Sequence, residues 1–340
     1  MASIVDAVLR RAGRHCGPLI ARTVDEMRQI RRAMDLVTIG QRGVHPTVGF
    51  VPTMGALHAG HLALCARARE RGPGSAPTDF VVASVFVNPT QFAPHEDLGA
   101  YPRTWEADLV QLDTLGVDAV FHPSAQELYP PSAPQRAFVD LSGFDTSTPE
   151  GAARPGFFRG VATVVTKLVS IVEPTHAVFG QKDGMQCIAV RQLVRDLNLS
   201  ARVDVVPTLR APDGLALSSR NAYLSPDERR LAPAIHAALL RVRDHIQSSA
   251  EGTERLARAA AAVATRQQRA ASWTAAEAEG VAQRAAQASR ISSAGAGPAI
   301  AGAAAPKEDA YLAWLREWAS QAILAEVRSG VSGRALNASP

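Results

Sequence analysis

The sequence predicts an α/β protein built on a Rossmann-like, doubly wound parallel sheet. Three observations carry that expectation. Between residues 48 and 206, short apolar runs alternate with longer segments of helical periodicity. The runs are apolar throughout, so both faces of each strand are buried, as in a parallel sheet covered by helices on both sides. Polar and glycine-containing stretches follow the runs, at the strand ends where such sheets bind ligands.

The elements follow in order. Residues 1–22 carry Arg10, Arg11, Arg14 and Arg22 against one acid, Asp6, with Ile4, Val5, Val8 and Leu9 near helical spacing. They read as an N-terminal extension, which is either an ordinary first helix, the preferred reading, or a short amphipathic mitochondrial targeting helix. Residues 23–36 form an amphipathic helix, with Thr23 as N-cap and Glu26 three residues on. A strand at 48–51 is stopped by Pro52, and a helix at 59–71 is closed by Gly72 and Pro73. Then come a buried strand at 80–87, a helix at 105–115 and a strand at 119–121. A helix at 160–172, a strand at 177–179, a helix at 185–197 and a strand at 203–206 complete the catalytic domain, placed at 23–225. Residues 226–340 are expected to form a smaller, atypical, mostly helical C-terminal domain. It is helical at 226–247, rich in alanine at 251–305 with Trp273 as the only aromatic, and linker-like at 292–306. A last helix spans 309–328.

Composition removes several classes. The 340 residues are 46% hydrophobic and 20% charged, which is enough for a packed core. A net charge of +4 is too small to indicate a nucleic-acid partner. Cys16, Cys65 and Cys187 are too few and too scattered for a disulfide scaffold or a four-cysteine zinc site. They suit a reducing compartment, here the cytoplasm. The run at 80–87 is far short of the ~20 apolar residues of a membrane span.

Four segments carry chemistry. Pro52-Thr53-Met54-Gly55-Ala56-Leu57-His58-Ala59-Gly60-His61 lies between a strand and a helix. A helix start there favours anions, and two imidazoles at i and i+3 can donate to charge building on phosphorus. Alone, the pair reads equally as a polar helix start, and a zinc site would lack a third ligand. Asn88-Pro89-Thr90-Gln91 follows the second buried strand; its amides suit a hydroxy acid, or only a capping turn. Gly180-Gln181-Lys182-Asp183 leads into a helix carrying Gln186, with Lys182 suited to phosphate and Asp183 to ribose hydroxyls. Leu217-Ser218-Ser219-Arg220-Asn221 offers two hydroxyls and a guanidinium to phosphate oxygens. No P-loop and no G-x-G-x-x-G is present. The convergence of four such segments on one sheet edge favours a nucleotide-dependent enzyme.

Together P-T-M-G-A-L-H-x-G-H, F-V-N-P-x-Q-F, Y-P-R-T at 101–104, G-V-A-T-V-V-x-K-L at 160–168, G-Q-K-D and L-S-S-R-N resemble the pantoate–β-alanine ligases, over roughly residues 45–225. H-x-G-H alone would indicate only the nucleotidyltransferase superfamily. The resemblance implies ATP-dependent condensation of pantoate and β-alanine through pantoyl adenylate, releasing AMP and diphosphate. It implies His58, His61, Lys182 and Arg220 as catalytic groups, with His61 as proton donor. ATP would be held by these together with Met54, Gly55, Gly180, Asp183, Leu209, Leu217, Ser218 and Ser219. Gln91 and Gln186 would bind pantoate, with Asn88, Tyr101 and Arg154 near the acid or amine. Magnesium would fall to Asp108 and Gln111, although Ala107 lacks the acid some members carry. A homodimer is also implied.

Two departures stand out. Phe157 occupies the position of the usual histidine in R-P-x-H-F, as in fungal-type members. The small sheet that lids the site in the family has no recognisable counterpart in 226–340. That leaves open a lid-defective copy, or a related nucleotidyltransferase with another acceptor.

Overall fold

The computed structural model describes residues 2–11, 17–70, 77–144 and 148–248. The expectations for Gly72 and Pro73, the alanine-rich stretch, the 292–306 linker and the 309–328 helix lie outside the described residues. Six strands are described: β1 (Leu19–Ala21), β2 (Val48–Thr53), β3 (Phe80–Val85), β4 (Ala119–Phe121), β5 (His176–Gly180) and β6 (Arg202–Val206). All pair in parallel, in the order β1-β4-β3-β2-β5-β6. The chain steps outward from β2 through β3 to β4, then returns to lay β5 and β6 on the other side. The winding therefore reverses between β2 and β5, and a crevice opens at the carboxyl ends of strands where it does.

Every residue of β3 and β4 is buried, which explains their uninterrupted apolar character. Two strand details differ from the sequence reading. β1 is an edge strand of three residues with mixed exposure, too short to show a period. Pro52 does not stop β2, which continues in register with β3 to Thr53↔Val85. The Thr53 carbonyl accepts from Phe86 N–H on the β3 side, so by alternation the Pro52 nitrogen faces β5. The β2–β5 register ends at Phe50↔Ala177, so the missing N–H costs no ladder bond.

The helices are α1 (Ala2–Arg11), α2 (Val24–Arg42), α3 (Ala59–Arg69), α4 (Trp105–Thr114), α5 (Ala125–Leu128), α6 (Pro149–Ala153), α7 (Phe157–Val172), α8 (Gly184–Asp196), α9 (Pro226–Leu231) and α10 (Ala234–Ser248). Thr23 and Glu26 form the expected capping box of α2, which runs on to Arg42. It ends where Gly43 adopts a left-handed φ of 73°. α3 and α4 cover one sheet face, packing Leu64, Cys65, Ala68 and Leu112 against Val51, Ala83, Val120 and Val178. α7 packs on β2 and α2 and is buried nearly all round.

Met1–His236 forms one compact unit and Ala237–Pro340 a second, of which residues 237–248 are described. Among the described residues no helix is long and apolar enough to cross a membrane.

Candidate active site

A cavity of about 270 Å³ opens at the carboxyl ends of β2, β3, β5 and β6, within the first unit. The four chemistry-bearing segments meet there. Every residue assigned to ATP, pantoate or β-alanine lines it except Gly55.

The segment after β2 is built around a buried carboxylate. Gly55 and Ala56 take positive φ values of 82° and 49°, so the chain turns sharply. That turn aims two backbone N–H groups at Asp108 of α4, Ala56 at 2.9 Å and Leu57 at 2.8 Å. The Thr104 hydroxyl donates to the same carboxylate at 3.0 Å. His58 then caps α3, its Nδ1 accepting from Gly60 N–H at 3.1 Å. The Nδ1 of His61 accepts from His58 N–H at 3.4 Å. In both neutral rings the proton therefore sits on Nε2. Burial pushes the His61 pKa down to about 3, with His58 and Lys182 adding to the effect. Burial, then Lys182, lowers that of His58.

After β3, Asn88 is 1% exposed and Gln91 sits beside Met54. After β5, Lys182 pairs with Asp183 at 2.9 Å on a short turn, and Gln186 follows on α8. After β6, the Ser218 side chain caps the turn at Ser219–Tyr223, and the Ser219 hydroxyl donates to Ala56 O at 3.0 Å. The last segment is thus tied to the first.

Both cavity arginines are clamped by adjacent acids. Arg154 pairs with Glu96 through Nε at 2.6 Å and a terminal nitrogen at 2.8 Å. Its guanidinium lies 3.8 Å from the centroid of the Phe157 ring. Arg220 pairs with Asp97 at 2.9 and 2.7 Å and lies near the Tyr101 ring. These pairs hold both acids below the usual carboxylate range.

Asp108 and Gln111 do not line the cavity. Asp108 is taken up by the loop amides, and Gln111 donates to Ala107 O of its own helix. Among the described residues no group of three or more His, Cys, Asp or Glu could hold a metal, and the zinc alternative for His58 and His61 has no third ligand. Sequence reasoning missed Glu150, which lines the cavity and lies 3.5 Å from Arg154. Its spacing of four residues before Arg154 was the available signal. Burial raises its pKa against the pull of Arg154. The apolar floor, including Val161, Val165 and Leu168 of α7, was legible only as a helix.

The family model described as pantoate-beta-alanine ligase matches residues 19–306. A curated relative from Chloroflexus aurantiacus, named pantothenate synthetase, is 51% identical over 220 residues, covering 65% of this chain and 71% of its own. One of the same name from Thermus thermophilus is 49% identical, covering 66% and 75%. A crystal structure of the pantothenate synthetase from Thermus thermophilus aligns with a TM-score of 0.58 at 48% identity, over 66% of this chain and 75% of that one. A pantoate-beta-alanine ligase from Francisella tularensis, complexed with beta-gamma ATP and beta-alanine, aligns at 0.57 with 36% identity, over 65% and 78%.

Proposed function

The chain belongs to the pantoate-beta-alanine ligase family, and on that premise we propose how its cavity performs the reaction. Pantoate and β-alanine are condensed to pantothenate while ATP is cleaved to AMP and diphosphate, through pantoyl adenylate. The observation that carries the reading is the meeting of four separate strand-end segments in one cavity beside the reversal of the sheet.

In the first step the pantoate carboxylate attacks the α-phosphorus and charge builds on the phosphoryl oxygens. No protein nucleophile is needed; fixed donors are. His58 and His61 supply Nε2–H groups at the start of α3. With its pKa near 3, His61 stays neutral at working pH and acts as a hydrogen-bond donor. This narrows the proton-donor role that the family resemblance implied. Lys182, Ser218, Ser219 and Arg220 hold phosphate oxygens, Asp183 the ribose, and Met54, Gly180, Leu209 and Leu217 the rest of the nucleotide. Gly55 acts through the turn it permits.

In the second step the β-alanine amine displaces AMP, which needs proximity and orientation more than acid–base strength. Gln91 and Gln186 hold the pantoyl part, while Asn88, Tyr101 and Arg154 flank the acid or amine. Magnesium, if it accompanies ATP, would supply charge neutralisation on the phosphates beside Lys182 and Arg220. Asp108 and Gln111 do not fit a resident metal, because the Asp108 carboxylate is committed to backbone amides.

The same reading puts catalysis in the first compact unit, Met1–His236, which takes in β1 and α9 beyond the expected 23–225, within a cytoplasmic homodimer. Val8 of α1 is buried, in keeping with an ordinary first helix packed into the fold.

The test is to supply ATP, pantoate and β-alanine and to measure AMP and pantothenate. Diphosphate release with pantoate but not with a panel of other acids is expected. His61→Ala should cost on the order of 10²–10³ in rate. No AMP from a folded sample would refute the reading; adenylate formed but not passed to β-alanine would locate the failure in the second domain.

A further inference from the structure

Behind the cavity, a polar chain leads from α5 to Gln91. Asn88 stands at its centre, and two backbone groups that admit no alternative determine its amide orientation. Thr90 N–H, which can only donate, lies 3.4 Å from Asn88 Oδ1. Gly160 C=O, which can only accept, lies 3.3 Å from Asn88 Nδ2. The same Oδ1 accepts from the hydroxyls of Tyr129 and Thr90, each at 3.0 Å. Nδ2 also donates to Gln91 Oε1 at 3.2 Å. The atom of Gln91 that remains is Nε2, which points at Met54 Sδ, 3.0 Å away, and both residues line the cavity. A thioether is a weak acceptor, so this donor keeps its capacity for a ligand oxygen.

Tyr129 itself is held from behind. The Lys167 ammonium lies 4.5 Å from its ring centroid, donates to Leu128 O and donates to Gln135 Oε1 at 3.3 Å. Tyr129 does not line the cavity; its hydroxyl bonds to Asn88 and lies 3.5 Å from the Thr90 hydroxyl, and its ring packs on Phe86, so Asn88 is its polar route to a cavity residue.

We propose that Tyr129 is a positioning residue: through Asn88 its hydroxyl orients Gln91, so that the Gln91 NH₂ group faces the cavity as a donor to an oxygen of the hydroxy acid. This rests on the reading of Gln91 as a pantoate contact. Loss of one neutral hydrogen bond in such a chain costs roughly three- to tenfold in an equilibrium constant.

The experiment is steady-state kinetics on Tyr129→Phe, Gln91→Ala and the double variant, with thermal melts of each. Tyr129→Phe keeps the ring under Lys167 and removes only the hydroxyl. It should raise the KM for pantoate about three- to tenfold and leave the KM for ATP unchanged. In the Gln91→Ala background the same change should cost nothing further, because Tyr129 acts through Gln91. A Tyr129→Phe penalty that persists in that background, or that falls equally on ATP, overturns the proposal. An unchanged pantoate KM in Tyr129→Phe, with Gln91→Ala impaired, overturns it while sparing the Gln91 contact. An unchanged pantoate KM in Gln91→Ala removes the underlying reading and the proposal with it. Should Tyr129→Phe not fold, Thr90→Val removes the other hydroxyl on the same Asn88 oxygen and is read in the same way.

Discussion

His58 and His61 cap the same helix start from opposite ends, each ring accepting a backbone N–H of the other's turn, with ring centroids 4.1 Å apart. The arrangement directs both Nε2–H groups away from the helix and disfavours protonation of either ring. His61 falls from an ordinary 6.5 to about 3, chiefly through burial. The sign of the consequence is definite. Between those values the unfolded chain binds a proton that the folded chain refuses, so stability falls as pH drops from about 6.5 toward 3 and is unaffected above. Denaturant titrations across that range should show the slope, and His61→Gln should flatten it. Imidazole nitrogen NMR should report the Nε2–H tautomer throughout the ordinary histidine range.

Asp108 should matter for the loop and not for magnesium. Asp108→Asn replaces one acceptor oxygen with an NH₂ group facing a backbone N–H. At a site only 1% exposed that should cost about 1–3 kcal/mol and lower kcat through disorder of residues 55–58. The magnesium concentration for half-maximal rate should not move. A shift in that concentration would restore Asp108 as a metal ligand.

Two glycines test the close packing that sets the site. A Cβ on Gly49 would lie 2.5 Å from Ala68 O of α3, and one on Gly160 2.3 Å from Thr90 O. Both contacts are with backbone, so something must shift, at about 1–3 kcal/mol. Gly49→Ala should lower the melting temperature with kinetic constants preserved. Gly160→Ala should also raise the KM for pantoate, because the displaced turn carries Gln91.

How much of this was legible beforehand depended on whether a residue's role was local. The Thr23–Glu26 capping box and the apolar strands at 80–87 and 119–121 were readable, because a few neighbours decide them. The four strand-end segments were readable because each holds its own chemistry in sequence. The hold of Asp108 on the loop was not legible, since its partners Ala56 and Leu57 lie about fifty positions away and offer only backbone. Pro52 was read as a stop because proline has no N–H for a ladder; β2 continues because that nitrogen lies where β5 no longer pairs with it. Tyr129 and Glu96 carried no signal at all, as their roles exist only through Asn88 and Arg154.

Arg220 supplies the last prediction. Asp97 takes its Nε and one terminal nitrogen, leaving the other terminal nitrogen free to face the cavity. The carboxylate therefore sets the plane of the guanidinium that the ATP phosphates would meet. Asp97→Asn keeps the shape but weakens the charge-assisted pair. The pair is partly exposed, so the effect should be modest: a KM for ATP raised roughly two- to fivefold, with little change in melting temperature. Asp97→Ala should go further, because the guanidinium then samples several orientations. If Asp97 instead competed with phosphate for Arg220, both variants would bind ATP more tightly than the wild type. Calorimetric titration with a non-hydrolysable ATP analogue distinguishes the two signs directly.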